Sequence, residues 1–537
     1  MLDSWKRLWR ILPALLAFCL LAIQIAIPWT VRHFVTQDGP SYLYNAVVAK
    51  KLLFHEQPYT LFYRINAHVI PSWASTILFG LSASLAGAGH AEQLIMSLTL
   101  CLGFFCFSYA IRAFSPKALP FTPLSNALLE TWFLWMGFYN FFLGMALLPL
   151  GIGFYARRDG KLTMRAAAVL AFGLVILFFV HLLAAGIAIL SLAILGAWLH
   201  LVRPKLGSYS GGLRDGAHQA GMLLGAMAPV ILLCLIYARA ANSGILFRPN
   251  VLQSLSEFPM HVFATANGLG GGQWYLWPAV LGLIIIAFLG MRRLEWRTAK
   301  GGLAVAAIAV FLLYLMVPDS GLGGTAVKVR FAWIVFILGG LLMSSVARLQ
   351  PLTTPIAIFV SACLTFNLAS TAQSVAEYSQ AVDDYLSALT AIRPGSTIIR
   401  LRYPTPDLPE RYGFHDIGRD PLFHLDAYAA ARLGCLDLSD YQAPSADFPV
   451  IFKSKVDHEK QSKLFRLENP SPDESADLDT IRHDLPLPID YAIVVADESS
   501  PAAPVASAVA NLSSGMRLIA RSPTPPFVRV YQRTGAH

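Results

Sequence analysis

The chain has 537 residues, of which 55% are hydrophobic and 14% are charged, and its formal net charge is +9. Soluble globular proteins are about 45–50% apolar and about 25% charged, so this composition excludes a water-soluble enzyme and a disordered chain. Six cysteines are too few for a disulfide scaffold, and a polytopic membrane protein remains.

Apolar runs long enough to cross the hydrocarbon core of a bilayer recur through the first 372 residues. Three basic residues precede the first run, which places the N-terminus in the cytoplasm by the positive-inside rule. The apolar segment 121–137 carries several polar residues, and we interpret it as re-entrant or as lying in the outer interface. We expect eleven spans, at about 11–29, 69–86, 93–111, 139–156, 166–181, 182–202, 218–239, 276–291, 302–317, 330–347 and 354–371.

The charges of this half indicate one orientation. Residues 1–372 hold 25 basic and 10 acidic residues, and eleven spans place the clusters around Arg157, Arg203 and Arg293 in cytoplasmic turns. The acids expected in cytoplasmic turns are Asp3, Glu92, Asp159, Asp215 and Glu295. Those expected on the outer side, where most of the polar chemistry gathers, are Asp38, Glu56, Glu130, Glu257 and Asp319.

Residues 373–537 reverse the charge balance, with 16 basic and 22 acidic residues. A helix-like stretch is followed by strand-like runs that Pro-, Gly- and Asp-rich turns separate. Cys435 is the only cysteine there, so no disulfide can form within this region. We expect residues 1–372 to form a transmembrane domain and residues 373–537 to form a soluble extracytoplasmic α/β domain.

The first outer loop, residues 31–68, is the stretch richest in polar chemistry. Asp38 follows the first span almost immediately, and Gly39-Pro40 forms a tight turn that holds it at the membrane edge. The stretch 42–54 fits a short helix lying along the interface, with its lysines reaching towards headgroups. The local pattern alone favours Asp38 as the N-cap of that helix.

A resemblance favours a catalytic role instead. The string Gln37 to Asn45, the string Gly137 to Phe141, Gly323-Gly324 with Lys328 and Arg330, and the string His424 to Tyr428 resemble bacterial membrane proteins of the GT-C superfamily. That superfamily of integral-membrane glycosyltransferases includes protein O-mannosyltransferases and aminoarabinose transferases. The resemblance implies a GT-C-like helical membrane fold, and it implies transfer of a sugar from a polyprenyl-phosphate carrier at the outer face.

The resemblance also implies roles for single residues. Acids of the first outer loop serve as catalytic base or help to hold a metal in that superfamily. Many members have paired acids, whereas Asp38 stands between Gln37 and Gly39. We therefore expect Asp38 to act as general base, with no cofactor and with no metal indicated.

The departing phosphate needs cationic stabilisation because negative charge grows on it. Lys328 and Arg330 lie in an outer glycine-containing stretch and would share a face if it is extended. The alternative is that both side chains simply snorkel at the start of the next span. Arg64 is a weaker candidate for the same role.

Several other residues could be part of the active site or could have a purely structural role. Glu130 and Glu56 are possible second acids, while His181 lies at an outer turn between two spans. Trp274 favours membrane anchoring over sugar stacking. Tyr42 and Asn140, from two of the resembling strings, complete the set of expected substrate-binding residues.

Three functions fit these features. We favour an inverting GT-C glycosyltransferase of the bacterial cytoplasmic membrane, whose partners are membrane lipids, a polyprenyl-phosphate-linked sugar and an acceptor that the sequence does not name. A lipid or solute transporter or flippase is an alternative, although the charges collect at one face and no internal repeat is visible. A non-catalytic assembly protein with a partner-binding outer domain is the third. Nucleic-acid binding is excluded because the basic excess follows membrane orientation.

Overall fold

The computed structural model describes residues 2–115, 122–206, 213–240, 250–266, 294–318, 326–344, 353–402, 420–445, 447–453, 487–496, 515–524 and 527–534. In them the chain is an α-helical membrane protein that also carries β-sheet in its C-terminal region. It divides into two compact units. The first unit comprises Met1–Ile27, His68–Ser72 and Met96–Ala372, and the second comprises Pro28–Ala67, Trp73–Ile95 and Gln373–His537.

The helices that begin before residue 390 are mostly long and apolar. In chain order they are α1 (Leu2–Trp29), α2 (Gly39–Leu53), α3 (Tyr59–Phe62), α4 (Trp73–Ala86), α5 (Ala91–Phe114), α6 (Thr122–Leu129), α7 (Trp132–Met136), α8 (Tyr139–Ala156), α9 (Met164–Val180), α10 (Leu182–Ala197), α11 (Leu213–Ala240), α12 (Val251–Ala266), α13 (Ala299–Met316), α14 (Val327–Ser344) and α15 (Thr353–Leu389). A π-helical turn, Trp198–Val202, and a 3-10 turn, Arg203–Leu206, extend α10.

Eight helices of the described ranges are long and apolar enough to cross a membrane. The predicted polytopic helical fold is confirmed. The count of eleven spans stays a prediction, and the span expected at 276–291 lies outside the described residues.

The described part of the apolar segment 121–137, residues 122–137, contains α6 and α7, whose side chains are mostly buried in the first unit. Asn126 Nδ2 donates to Ala17 O at 2.7 Å, and Gln24 Nε2 donates to Glu130 Oε2 at 3.1 Å. These bonds join the segment to α1. Its interpretation as re-entrant or as lying in the outer interface stays a prediction.

The second unit is built around a five-stranded sheet. Its strand order is β3 (Leu436–Asp437), β2 (Thr397–Arg402), β5 (Tyr491–Ala496), β7 (Phe527–Arg533), β6 (Met516–Arg521). β2 pairs in parallel with β3 and β5, whereas β7 is antiparallel to both of its neighbours. Every residue of β2 and β5 is buried, as expected for central strands covered on both faces.

A second, two-stranded sheet joins the first outer loop to the C-terminal region. β1 (Tyr63–Ile65) pairs antiparallel with β4 (Val450–Phe452). One further helix, α16 (Leu425–Leu433), ends at Gly434, whose φ of 66° is the left-handed conformation that suits glycine at a helix terminus. Most of the first outer loop thus packs within the second unit, although its position in the sequence assigns it to the transmembrane domain.

α4 replaces the span expected at 69–86. Its 14 residues extend about 21 Å, which is short of a hydrocarbon core of roughly 30 Å. The buried side chains include the polar residues Ser75, Thr76 and Ser82, while the exposed ones include Ile77, Leu81 and Leu85. The predicted span at 69–86 is therefore wrong: α4 is an apolar helix too short to cross.

Glu92 gives independent support for this correction. Its Oε1 accepts hydrogen bonds from Thr36 N at 2.9 Å and from Thr36 Oγ1 at 2.5 Å. Because Thr36 belongs to the first outer loop, Glu92 lies with that loop, and its expected place in a cytoplasmic turn is wrong.

Candidate active site

The loop that carries Asp38 is seated on a buried carboxylate. Glu92 is 2% exposed, and Thr36, which bonds to it, also accepts from Gly39 N through Oγ1 at 3.2 Å. A Cβ at Gly39 would lie 1.8 Å from Glu92 Oε1. Only glycine lets the chain pass this close, so Thr36, Gly39 and Glu92 together fix the backbone on both sides of Asp38.

Asp38 occupies the N-cap position of α2 but does not cap it with its side chain. Its carbonyl oxygen accepts from Ser41 N at 3.1 Å and from Tyr42 N at 3.2 Å, while the carboxylate makes no capping hydrogen bond. Asp38 is therefore the N-cap residue by position, as the local pattern predicts, but its carboxylate does not cap the helix.

Two residues of the C-terminal region lie near the Asp38 carboxylate. His424 Nε2 is 3.9 Å from Asp38 Oδ1, and the charge of Asp38 contributes, after burial, to the raised pKa of Tyr441. The Asp38 side chain keeps 13% of its surface exposed, so solvent still reaches it.

His424 lies beside Asp38 as an uncharged side chain. Its ring stacks on Tyr441 with centroids 4.4 Å apart and planes at 12°. Burial, reinforced by Arg400 and Arg402, holds the pKa of His424 well below its usual range. Because the imidazole is uncharged, its approach to Asp38 is not an ion pair.

Two buried arginines of β2 lie close to His424. Arg400 and Arg402 are two residues apart in the strand, so both point to the same face, and both guanidinium groups lie over the Phe423 ring. Arg400 Nη1 pairs with Asp426 Oδ1 at 2.5 Å, and Arg402 pairs with Asp420. Burial of these charges is tolerated because each has an acid beside it.

Asp420 also connects this arginine pair to the Asp38 loop. Its backbone N–H donates to Gln37 Oε1 at 2.8 Å. Gln37 and Asp38, adjacent in sequence, therefore both contact the short stretch 420–424 that precedes α16.

The segment that carries Tyr441 rests on α2. Asp437 N donates to the Tyr44 hydroxyl at 2.8 Å, and Asn45 Nδ2 donates to Asp440 Oδ1 at 3.1 Å. Burial raises the pKa of Asp440 to about 6. Burial, followed by the charge of Asp426, raises the pKa of Asp437 as well.

Lys328 and Arg330 lie in the first unit and do not share a face. Both are in the first turn of α14, where residues two apart point in different directions, so the expected extended arrangement is wrong. Lys328 Nζ pairs with Glu257 Oε2 at 3.3 Å.

Arg330 instead contacts His181. The sequence offered the two as separate candidates for substrate binding. The Arg330 guanidinium lies 5.0 Å from the Phe138 ring centroid and 4.9 Å from that of Phe141. Arg330 Nη1 is 3.4 Å from His181 Nε2, while His181 Nδ1 accepts from Leu183 N at 3.2 Å. In the tautomer whose Nδ1 accepts from Leu183 N, the proton is on Nε2. That tautomer would place a second N–H donor beside the Arg330 guanidinium.

The other sequence candidates occupy separate places. Glu130 is buried and accepts from Gln24 and from Trp135 Nε1 at 3.0 Å. Glu56 pairs with Lys51 at 2.5 Å on the surface, and Arg64 is exposed on β1.

Tyr42 and Asn140 are buried. Tyr42 stacks on Phe79 with centroids 6.1 Å apart, and Asn140 Nδ2 donates to Ser72 O at 3.1 Å. Trp274 lies outside the described residues.

Sequence reasoning missed several residues of the Asp38 site. Tyr441, Arg400 and Arg402 lack any motif, and only the polar string 437–442 in a buried context could have singled out Tyr441. His424 lies in a quoted string, yet nothing in its local spacing indicated contact with Asp38. In the part of the chain that the structure describes, no three His, Cys, Asp or Glu side chains are placed to hold a metal.

Two solved structures resemble this chain over nearly its whole length. The crystal structure of ArnT from Cupriavidus metallidurans in the apo state matches with a TM-score of 0.53 and 11% identity, over 98% of this chain and 98% of that chain. The arabinofuranosyltransferase AftD from mycobacteria, in a mutant form, has a TM-score of 0.47 and 15% identity, over 97% of this chain and 41% of that chain. No protein-family model and no curated protein matches the chain. The likeness to ArnT runs through nearly the whole of both chains, so this chain has an ArnT-like fold, in agreement with the fold class expected from the sequence.

Proposed function

We propose that the protein is an inverting glycosyltransferase that moves a sugar from a polyprenyl-phosphate-linked donor to an acceptor at the outer face of the membrane. The reaction class comes from the fold shared with ArnT, a GT-C glycosyltransferase. Since one fold can host several functions, the proposal depends on the residues as well. The observation that carries it is the Asp38 carboxylate, released from capping and still partly exposed.

Asp38 acts as general base in this proposal. An acceptor hydroxyl or amine gives its proton to the carboxylate while its oxygen or nitrogen attacks the anomeric carbon of the sugar. The bond between that carbon and the phosphate oxygen breaks, and the polyprenyl phosphate leaves with the electron pair. A single displacement of this kind inverts the anomeric configuration.

Arg330 and His181 bind the carrier phosphate in this proposal. Both are partly exposed, and an oxygen of a phosphate placed between Arg330 Nη1 and His181 Nε2 would accept from both groups. Lys328 already shares its charge with Glu257. We therefore assign the phosphate to Arg330 first, with Lys328 in a supporting role.

The test measures donor consumption by the full-length protein in lipid nanodiscs. Undecaprenyl-phosphate-linked pentoses and hexoses serve as donors, a membrane lipid extract supplies acceptors, and released undecaprenyl phosphate is the signal. We expect wild-type turnover with one of these donors and a fall of about 100-fold or more for Asp38→Asn, in line with loss of a general base. Asp447→Asn, an acid of the same unit with no part in the proposed site, should keep wild-type activity.

Two results would count against the proposal in different ways. Full activity of Asp38→Asn removes this residue from the mechanism. A folded wild-type protein that releases no polyprenyl phosphate from any donor of the panel contradicts the transferase and favours the flippase or the assembly protein.

A further inference from the structure

Gln37, the residue before Asp38, is a further candidate for substrate binding. We infer that its Nε2 group donates a hydrogen bond to a substrate oxygen, of the transferred sugar or of the acceptor, beside the Asp38 carboxylate. This inference rests on the proposed function of Asp38 and adds the residue that holds the substrate next to the base.

The partner of the Gln37 side chain determines how its amide is turned. Asp420 N donates to Gln37 Oε1 at 2.8 Å. Because a backbone N–H only donates, the oxygen of the amide faces Asp420, and the NH2 group occupies the other branch of the amide. Gln37 is partly exposed, and among the described residues its Nε2 makes no hydrogen bond. Its two N–H donors are therefore open to a bound molecule.

Asp420 is itself held at several points, so the amide is fixed before substrate binds. The Asp420 carboxylate pairs with Arg402 and accepts from Leu422 N through Oδ1 at 2.9 Å. Arg402 is buried, and its guanidinium lies 4.7 Å from the Phe423 ring centroid. A donor that is already in place loses little conformational entropy when it bonds to a ligand. Gln37 is thus prepared to bind a substrate oxygen.

Gln37 and Asp38 face the same short stretch of chain. The Gln37 amide bonds to Asp420, and Asp38 Oδ1 lies 3.9 Å from Nε2 of His424, at the other end of the stretch 420–424. Adjacent Cα atoms are only about 3.8 Å apart, so two neighbouring side chains that turn to one stretch lie side by side. Both residues are partly exposed. A substrate oxygen bonded to Gln37 is therefore next to the carboxylate that takes the acceptor proton.

Two substitutions of Gln37 separate a binding role from a structural one. Gln37→Glu keeps an oxygen for Asp420 N but, once ionised, has no proton to donate. Gln37→Met keeps the length of the side chain, carries no charge and removes both hydrogen bonds. Donor consumption is measured at about pH 8, well above the usual range for a carboxylate. If Nε2 binds substrate, both variants raise a KM about 5- to 10-fold, as for loss of one hydrogen bond, and change kcat less.

The two substrates are titrated separately. A rise in the KM for the undecaprenyl-phosphate-linked donor assigns the bond to the transferred sugar, whereas a rise in the half-saturating amount of lipid extract assigns it to the acceptor. Gln532→Glu is the matched control. It makes the same change at a partly exposed residue of β7, whose Nε2 donates to the Tyr491 hydroxyl at 3.4 Å, and it should keep both values.

Three results in an active wild-type protein overturn the inference and leave the proposed function standing. If Gln37→Glu keeps wild-type KM values while Gln37→Met raises them, the amide is only a structural tie to Asp420. If only Gln37→Glu raises them, the added charge accounts for the effect. If neither variant raises them, the amide does not bind substrate. A wild-type protein that releases no undecaprenyl phosphate, and whose Tm no donor raises, contradicts the proposed function and the inference together.

Discussion

Replacement of Gly39 by alanine tests how firmly the Asp38 loop is seated. The new Cβ would lie 1.8 Å from Glu92 Oε1 and 2.2 Å from the carboxyl carbon. These distances are impossible, so the carboxylate must retract. In doing so it gives up the hydrogen bonds from Thr36 N and Thr36 Oγ1.

The cost follows from those two bonds. Hydrogen bonds to a charged group are worth about 1.5–3 kcal/mol each, and Glu92 is too buried for water to replace them fully. We expect Gly39→Ala to lower the free energy of unfolding by about 3 kcal/mol or more, although alanine normally stabilises a helical position relative to glycine by about 1 kcal/mol. Because Asp38 adjoins Gly39, turnover should fall as well, by about 100-fold for a displacement near 1 Å.

Thermal unfolding in detergent and donor consumption measure these two effects. Gly80→Ala in α4 is the matched control, since its Cβ would lie 4.0 Å from Ala46 Cβ, an ordinary contact. It should be neutral or slightly stabilising. If Gly39→Ala unfolds at the same temperature as Gly80→Ala, Glu92 does not seat the loop as described.

Two further predictions concern pH and the phosphate. Because the pKa of Asp440 is raised from 3.8 to about 6 in the fold, the folded state binds the proton more tightly, and stability falls by up to about 3 kcal/mol as pH rises from about 4 to about 6. Asp440→Asn should flatten that fall in a Tm-against-pH series, and parallel curves for the two proteins would exclude Asp440 as its source. Arg330→Gln should raise the KM for the lipid-linked donor about 10-fold or more, with partial recovery in Arg330→Lys. Lys328→Gln should raise it less because Lys328 is paired with Glu257, and a larger effect at Lys328 would reverse the assignment.

Hydropathy predicted the membrane-spanning character of the chain but misjudged the segment 69–86. α4 is apolar because its outward face carries residues such as Leu81 and Leu85, and hydropathy does not report that the helix is too short to cross. The segment 122–137 carries Asn126 and Glu130, and both are nevertheless buried. Asn126 donates to Ala17 and Glu130 accepts from Gln24, both in α1, and no local pattern reveals these bonds.

Asp38 could be singled out from the sequence because its setting is local: an acid directly after a span, before a Gly-Pro turn. The residues around it could not, because His424 and Tyr441 are about 400 residues away along the chain and are brought near by the pairing of β1 with β4 and by the contacts of α2. The error at Lys328 and Arg330 has a simpler cause. α14 begins at Val327 and converts an expected strand-like spacing into a helical one.

The pH dependence of donor consumption shows whether the Asp38 carboxylate acts as a catalytic base. Release of undecaprenyl phosphate is followed across pH for wild type and Asp38→Asn, with Asp447→Asn as control and with Tm recorded for each protein. We predict that Asp38→Asn folds, binds donor with a similar KM and loses about 100-fold or more in kcat. A folded Asp38→Asn protein with wild-type kcat would contradict it.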